Sequence, residues 1–249
     1  YLLTRNYRFG ASLDARYNAP YSENGEMSYG LRVDQTTMNN DYNRYNDTIG
    51  ELIDTLRTYH FNGNSTNLNG DVNWTHRWGG FTLSTGLGLG VLRDAYEYIS
   101  DMPFADAGAP LYFSARPSIH LSYRTENMHN FKLNYTMRMS HPGEDDVSTF
   151  RRYGVNSYST GNPEVKSGFT HSMEAGWQKY FNKFGNVGVE LYGRMSTNEI
   201  SSLTDSKYDE FLDRVISYTT PYNLGSSWRY GASLNATYRP TGFINLRLY

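Results

Sequence analysis

Cysteine is absent from the 249 residues. That excludes a disulfide-stapled secreted module and any thiolate metal site. Long apolar runs are missing as well, and none approaches the roughly 18 consecutive apolar residues that a helical membrane span needs. Neither sign of charge is in clear excess: Lys+Arg 23 against Asp+Glu 25 leaves a formal net charge of −2, with no electrostatic footprint for nucleic acid. Methionine is sparse, at 8, while tyrosine and glycine each reach 23 and aromatics make up 16%. On an Asn/Thr/Ser-rich background this composition favours strands and turns. The mean hydropathy of −0.67 remains compatible with a membrane barrel, in which only every second residue meets lipid.

Side-chain alternation carries the fold. Tyr7, Phe9, Ala11, Leu13, Ala15 and Tyr17 share one face of a predicted strand, and Arg8, Gly10, Ser12, Asp14 and Arg16 share the other. The same period recurs along the chain, for example in Leu68 to Trp78, Phe81 to Val91, Leu111 to Tyr123, Phe131 to Met139, Val187 to Met195 and Trp228 to Tyr238. Template matching gives about ten strands. Short turns are expected at Asn18–Glu26, Trp78–Phe81, Thr125–Asn130, Phe181–Asn186 and Arg239–Gly242. Between them lie long polar connections at Met38–Asn67, Ser100–Pro110, Pro142–Gly168 and Ser201–Ser227. One tight end and one elaborate end is the asymmetry of a bacterial barrel, with short periplasmic turns and long extracellular loops.

A soluble sandwich also predicts alternating strands, with the apolar face buried and the charged face wet. Alternation alone leaves both readings open. The apolar faces lack charge at mid-strand, whereas the opposite faces carry Arg8, Asp14, Arg16, Arg32, Asp34, Lys132, Arg138, Glu174 and Glu190. Aromatics such as Trp74, Trp78, Phe81, Tyr123, Phe131, Trp177 and Tyr238 gather near strand ends, where an interfacial girdle would sit. Aromatic placement decides for an all-β fold, a transmembrane antiparallel β-barrel in the outer membrane contacting its lipid. The last residues, Phe243, Asn245, Arg247 and Tyr249, fail the hydrophobic alternation of a usual terminal strand. No secretory leader begins at Tyr1. Residues 1–249 are therefore expected to be a partial barrel domain whose natural N-terminus lies upstream.

From Asn130 onward the chain resembles the C-terminal barrel region of TonB-dependent receptors of the Bacteroidetes type. The resemblance rests on Phe131-Lys-Leu-Asn-Tyr-Thr-Met-Arg-Met139, on Gly161-Asn-Pro-Glu-Val-Lys166 and on His171-Ser-Met-Glu-Ala-Gly-Trp177. Ser167-Gly168 stands where that family usually has Pro-Glu. The resemblance implies a 22-stranded barrel around a plug domain, neither plug nor TonB box being visible here. It also implies active nutrient uptake energised through TonB, in some relatives with a surface lipoprotein. A passive porin or an adhesin barrel without a plug is the alternative function.

Gly86, Gly88 and Gly90 fall on one polar face. Three alternate glycines permit close approach of a plug backbone, and equally they permit strand curvature. Tyr42, Tyr45, Tyr153 and Tyr158 are the candidate ligand-stacking residues of the long loops. The acidic stretches 141–146 and 205–210 read as solvated loops rather than calcium sites. The six His form no metal-ligand spacing, so no metal and no cofactor is expected. Ser140-His141 and His171-Ser172 are sequence neighbours whose side chains point to opposite faces of a strand, so no enzyme is expected.

Overall fold

The computed structural model describes residues 2–46, 52–101, 103, 105–181, 184–210, 212–241 and 244–248. In chain order the first strands are β1 (Leu2–Ser22), β2 (Gly25–Asn46), β3 (Leu52–Ile53), β4 (Tyr59–Trp78), β5 (Phe81–Ile99) and β6 (Asp106–Gly108). Then come β7 (Leu111–Arg124), β8 (His129–Ser140), the single helical turn α1 (Glu144–Val147), β9 (Arg152–Tyr153) and β10 (Ser157–Ser159). The chain continues through β11 (Gly168–Tyr180), β12 (Gly185–Thr197), β13 (Ile200–Asp209), β14 (Arg214–Asn223), β15 (Ser226–Thr241) and β16 (Ile244–Leu248).

One sheet holds the order β1-β2-β4-β5-β7-β8-β11-β12-β15-β16, every pair antiparallel, with β3 beside β2 and β6 beside β5. The ten strands on this path match the sequence count. Among the described residues β1 and β16 are the two ends of the path, each paired on one side only. A second sheet, β13-β14-β10-β9, is built, all but Ile200, from two of the expected polar connections.

The expected short turns lie at one end of the sheet. Two residues link β1 to β2 and β4 to β5, and four link β7 to β8. The Phe181–Asn186 and Arg239–Gly242 turns fall partly outside the described residues. At the other end the sequence and the structure part company. Met38–Asn67, expected to be a loop, is mostly strand: β2 runs on to Asn46 and β4 begins at Tyr59.

Register explains the length of those strands. On β4 the apolar face carries Leu68, Val72, Trp74 and Trp78, and pairing aligns these with Val33, Tyr29, Met27 and the β5 residues Val91, Leu87 and Phe81. Many of these side chains are bare, with Phe9 71%, Leu13 70% and Tyr230 85% exposed. A face this apolar and this open needs a non-aqueous neighbour. The ten residue steps from Leu68 to Trp78 amount to roughly 34 Å of strand at about 3.4 Å each. At the ~40° tilt usual in membrane barrels that is about 26 Å of height, matching a lipid-facing band of ~25 Å.

Above this band the two faces exchange character without a break in register. The face that carried Val33, Leu68 and Val91 goes on as Gln35, Asn39, Asp41, Thr66, Asn64, Asn62, His60, Arg93 and Glu97. Its polar groups bond across strands, Thr66 Oγ1 donating to Gln35 Oε1 at 2.6 Å, Asn39 Nδ2 to Asn62 Oδ1 at 3.0 Å and Asn62 Nδ2 to Glu97 Oε2 at 3.1 Å. The opposite face turns aromatic, with Tyr42, Tyr59, Phe61, Tyr96 and Tyr98.

Candidate functional site

Two neighbouring regions on the inward side carry the chemistry: the polar face of the wall and the aromatic mouth above it. All nine charged residues singled out from the sequence share the polar face. Arg32 Nε donates to Asp34 Oδ1 at 2.9 Å, and Lys132 Nζ reaches across Gly176 to Glu190 Oε2 at 2.7 Å. The glycines explain how such long side chains lie flat. A Cβ at Gly176 would fall 2.9 Å from Lys132 Cγ, and one at Gly231 would fall 2.6 Å from Tyr192 Cζ. Small residues on one strand thus seat large polar ones from the next.

Gly86, Gly88 and Gly90 follow the same rule. A side chain at Gly86 would collide with Asn73 Oδ1 and come within 2.6 Å of Ser118 Oγ. One at Gly90 would lie 2.5 Å from Ser114 Oγ and 2.6 Å from Asn69 Oδ1, and one at Gly88 3.0 Å from Arg116 Nε. These three glycines form a trough roofed by Asn69, Asn73 and Arg116.

The mouth has a buried core of Phe61, Tyr98 and Phe150, each 4% exposed, with Met38, Tyr59 and Tyr96 packed against it. Tyr42 stacks on Tyr59 at 4.6 Å between centroids, and Phe150 stacks on Tyr98 at 4.7 Å. Phe150 belongs to the β8–β11 connection, so that connection folds inward over the sheet. Polar contacts hold it there. Tyr98 Oη donates to Asp145 Oδ1 at 2.8 Å, Arg152 pairs with Asp145, and Ser148 Oγ donates to Asp106 Oδ2 at 2.7 Å. Burial, together with the nearby Tyr42, pushes the Tyr59 hydroxyl up to about 12, and burial pushes Tyr98 higher still. Both remain neutral hydrogen-bond donors.

The Gly161–Lys166 motif is the staple of this cap. Gly161 N–H donates to Ser148 O and Asn162 N–H to Asp146 O, both at 2.7 Å. A Cβ at Gly161 would stand 2.5 Å from Ser148 O and 2.8 Å from Asp146 O, both main-chain atoms. Asn162 Nδ2 donates to Pro221 O at 3.2 Å, and Asn223 exchanges bonds with the Lys166 main chain at 2.8 Å. The motif therefore ties α1 to β14.

The candidate tyrosines are scattered. Tyr42 lies at the edge of the aromatic mouth. Tyr45 belongs to β2, and its side chain is outside the described residues. Tyr153, 7% exposed, and Tyr158, 2% exposed, pack with Ile216 inside the second sheet. Sequence reasoning missed Tyr59, Phe61, Tyr98 and Phe150. The first three were legible as a continuation of period two with the phase reversed. Phe150, isolated in a loop, carried no signal.

Other chemistry is sparse. Among the described residues no three His, Asp or Glu side chains converge to hold a metal ion. His141 Nδ1 sits 2.8 Å from Ser167 Oγ, with the imidazole stacked on Tyr112 at 5.0 Å. No carboxylate bonds its other nitrogen among the described residues, so no triad forms. Burial, with Arg116 adding, holds this imidazole below its usual range.

The outer membrane protein beta-barrel family matches residues 4–249. The chain belongs to that family. No curated protein matches it. A double mutant of the Serratia marcescens hemophore receptor HasR, in complex with its hemophore HasA and heme, shares 13% identity at a TM-score of 0.67, covering 96% of this chain and 40% of that one. The FrpB iron transporter of Neisseria meningitidis (F5-1 variant) shares 14% at 0.67, over 98% of this chain and 35% of that one. The ferric yersiniabactin uptake receptor FyuA of Yersinia pestis shares 10% at 0.69, over 97% and 34%. The chain thus spans two fifths or less of those structures, and the likeness is one of fold.

As a member of the outer membrane beta-barrel family the chain lies in the outer membrane. Its exposed apolar face meets lipid, its polar face lines the interior, and the soluble-sandwich alternative is set aside.

Proposed function

We propose that the chain is part of an active outer-membrane transporter, forming one side of the barrel wall and a share of its extracellular cap. The cap carries this reading. Phe150 and the Gly161–Lys166 staple close over an aromatic mouth, whereas a passive pore gains nothing from obstructing its own entrance. The solved structures of similar fold are uptake receptors and transporters, which supports the same direction. On this reading the barrel has 22 strands, a plug fills it, and TonB supplies the energy, as the Bacteroidetes-type receptor resemblance implies. The trough at Gly86, Gly88 and Gly90, with Asn69, Asn73 and Arg116 over it, is the plug-facing surface of this segment. Tyr42, beside Tyr59 at the rim, is the ligand-stacking candidate, Tyr45 follows it on the same strand, and Tyr153 and Tyr158 brace the cap. A surface lipoprotein, where present, would dock on that cap.

The test uses the full-length protein. In planar bilayers a plugged transporter shows no steady open conductance, and in cells its substrate uptake disappears when TonB is removed. Steady single-channel conductance by the unaltered protein, with TonB-independent uptake, would establish the porin alternative instead.

A further inference from the structure

The lipid-facing surface is not uniform. Across β2, β4, β5 and β7 one row reads Leu31, Gly70, Leu89, Ala115, large and small in alternation. The two small residues floor a groove of about 580 Å³ whose walls include Leu31, Leu89, Phe113 and Met139. The nearest atom to a Cβ built at Gly70 is the main-chain Gly30 O at 3.9 Å, so no neighbouring side chain leans over that glycine.

Directly above, two rows up on the same face, stands Arg93, exposed and paired in register with Thr66 and Leu111. Among the described residues it has no carboxylate partner. Beside it Gln35 Nε2 bonds Asn64 Oδ1 at 2.5 Å, and the amide ladder climbs on through Asn39 and Asn62. An uncommitted guanidinium at the membrane boundary matches a phosphate. Neutral amides above it match sugar hydroxyls, and an apolar groove below matches an acyl chain. All three lie on neighbouring strands, in the order a lipid would need.

We propose that this surface is a binding site for one phosphorylated glycolipid of the outer leaflet. An acyl chain lies over Gly70 and Ala115, a phosphate meets Arg93, and the sugars meet Gln35, Asn64 and Asn62. Such a lipid orients and holds this wall at a fixed depth, since its headgroup and tail are both engaged.

Native mass spectrometry of the full-length protein, extracted from its own outer membrane in mild detergent, reads the result. The unaltered protein is expected to retain one phosphorylated multi-acyl lipid. Arg93→Glu, and separately the double replacement Gly70→Leu with Ala115→Leu, lowers that retention at least tenfold. Ala175→Leu, a small-to-large change at an exposed position of β11 on the same lipid-facing surface, leaves it unchanged. Heat-modifiable migration confirms that each variant has assembled, and Arg93→Gln replaces Arg93→Glu if it has not. Retention unaffected in both test variants, equal loss in Ala175→Leu, or a bound diacyl phospholipid in place of the glycolipid would overturn the proposal.

Discussion

Gly161 shows how a single residue constrains the mouth. Its amide bonds Ser148 O, and the space where a side chain would sit is filled by the main chain of residues 146 and 148. Main chain cannot rotate aside as a long side chain can. Gly161→Ala is therefore expected to weaken the docking of the β8–β11 connection by roughly 1 to 3 kcal/mol, the usual cost of overpacking. Hydrogen exchange of residues 144–162 in the full-length protein should speed up by about tenfold per 1.4 kcal/mol, with the sheet unaffected. His141 makes a second prediction at this scale. Its pKa is lowered in the folded cap, burial first and Arg116 second, from the ordinary 6.5. The opened state binds the proton more readily, so cap stability is intact above pH 6.5 and falls as pH drops from there toward the lowered folded value. Exchange of the same segment should accelerate on acidification below pH 6.5, and His141→Phe should flatten that dependence. The sequence showed the Gly-Asn-Pro motif, but only through likeness to a family. Its physical role needed coordinates, because the chain brings its partners Ser148 and Pro221 from opposite directions.

At the scale of elements the decisive event is the exchange of faces along β2, β4 and β5. A period-two reading registers which residues alternate, and here it found the apolar band from Leu68 to Trp78 and from Phe81 to Val91. Beyond Val33 and below Leu68 the apolar members switch from odd to even positions on β2 and from even to odd on β4. The phase change read as loss of a strand. Strand and loop were confused because both sides of the boundary are wet or capped, and the Asn-rich stretch resembles a turn by composition. The hairpin β13–β14 was hidden for a related reason: nearly all of β13 is exposed, so no face is apolar. That hairpin meets the cap through Asp209, which is 2% exposed, accepts from Tyr153 Oη at 3.1 Å and from Leu212 N–H at 3.1 Å, and stands 3.5 Å from Arg151. Asp209→Ala strands the Tyr153 hydroxyl and the Leu212 N–H that donate to the buried carboxylate, a change that typically costs about 1–3 kcal/mol. Limited proteolysis should then cut within 200–223 in the variant while the unaltered protein resists, with heat-modifiable migration preserved.

At the scale of the molecule, the ten-strand wall was legible early. The turns β1–β2, β4–β5 and β7–β8 lie together where they were expected, and the inward charges share one face, but of the long connections Met38–Asn67 is mostly strand and Ser201–Ser227 holds a hairpin. The aromatic mouth was not legible, because its members come from β2, β4, β5 and a distant loop, with Phe150 reaching Tyr59 across the sequence. Orientation follows from the same asymmetry. A cysteine at Asn24, in the β1–β2 turn, should stay unlabelled by an impermeant maleimide on whole cells, and one at Ser202 on β13 should label at once; the reverse pattern would invert the wall. One continuous surface of β5 passes from lipid into water between Val91 and Arg93. Single nitroxide labels placed at each residue from Leu87 to Glu97 in the full-length protein, in its native lipid, test this by collision with oxygen and with a water-soluble nickel chelate. Oxygen collision should dominate at 87, 89 and 91, and nickel collision at 93, 95 and 97, all on the same face. Nickel access at Leu87 and Leu89 equal to that at Glu97 would contradict it.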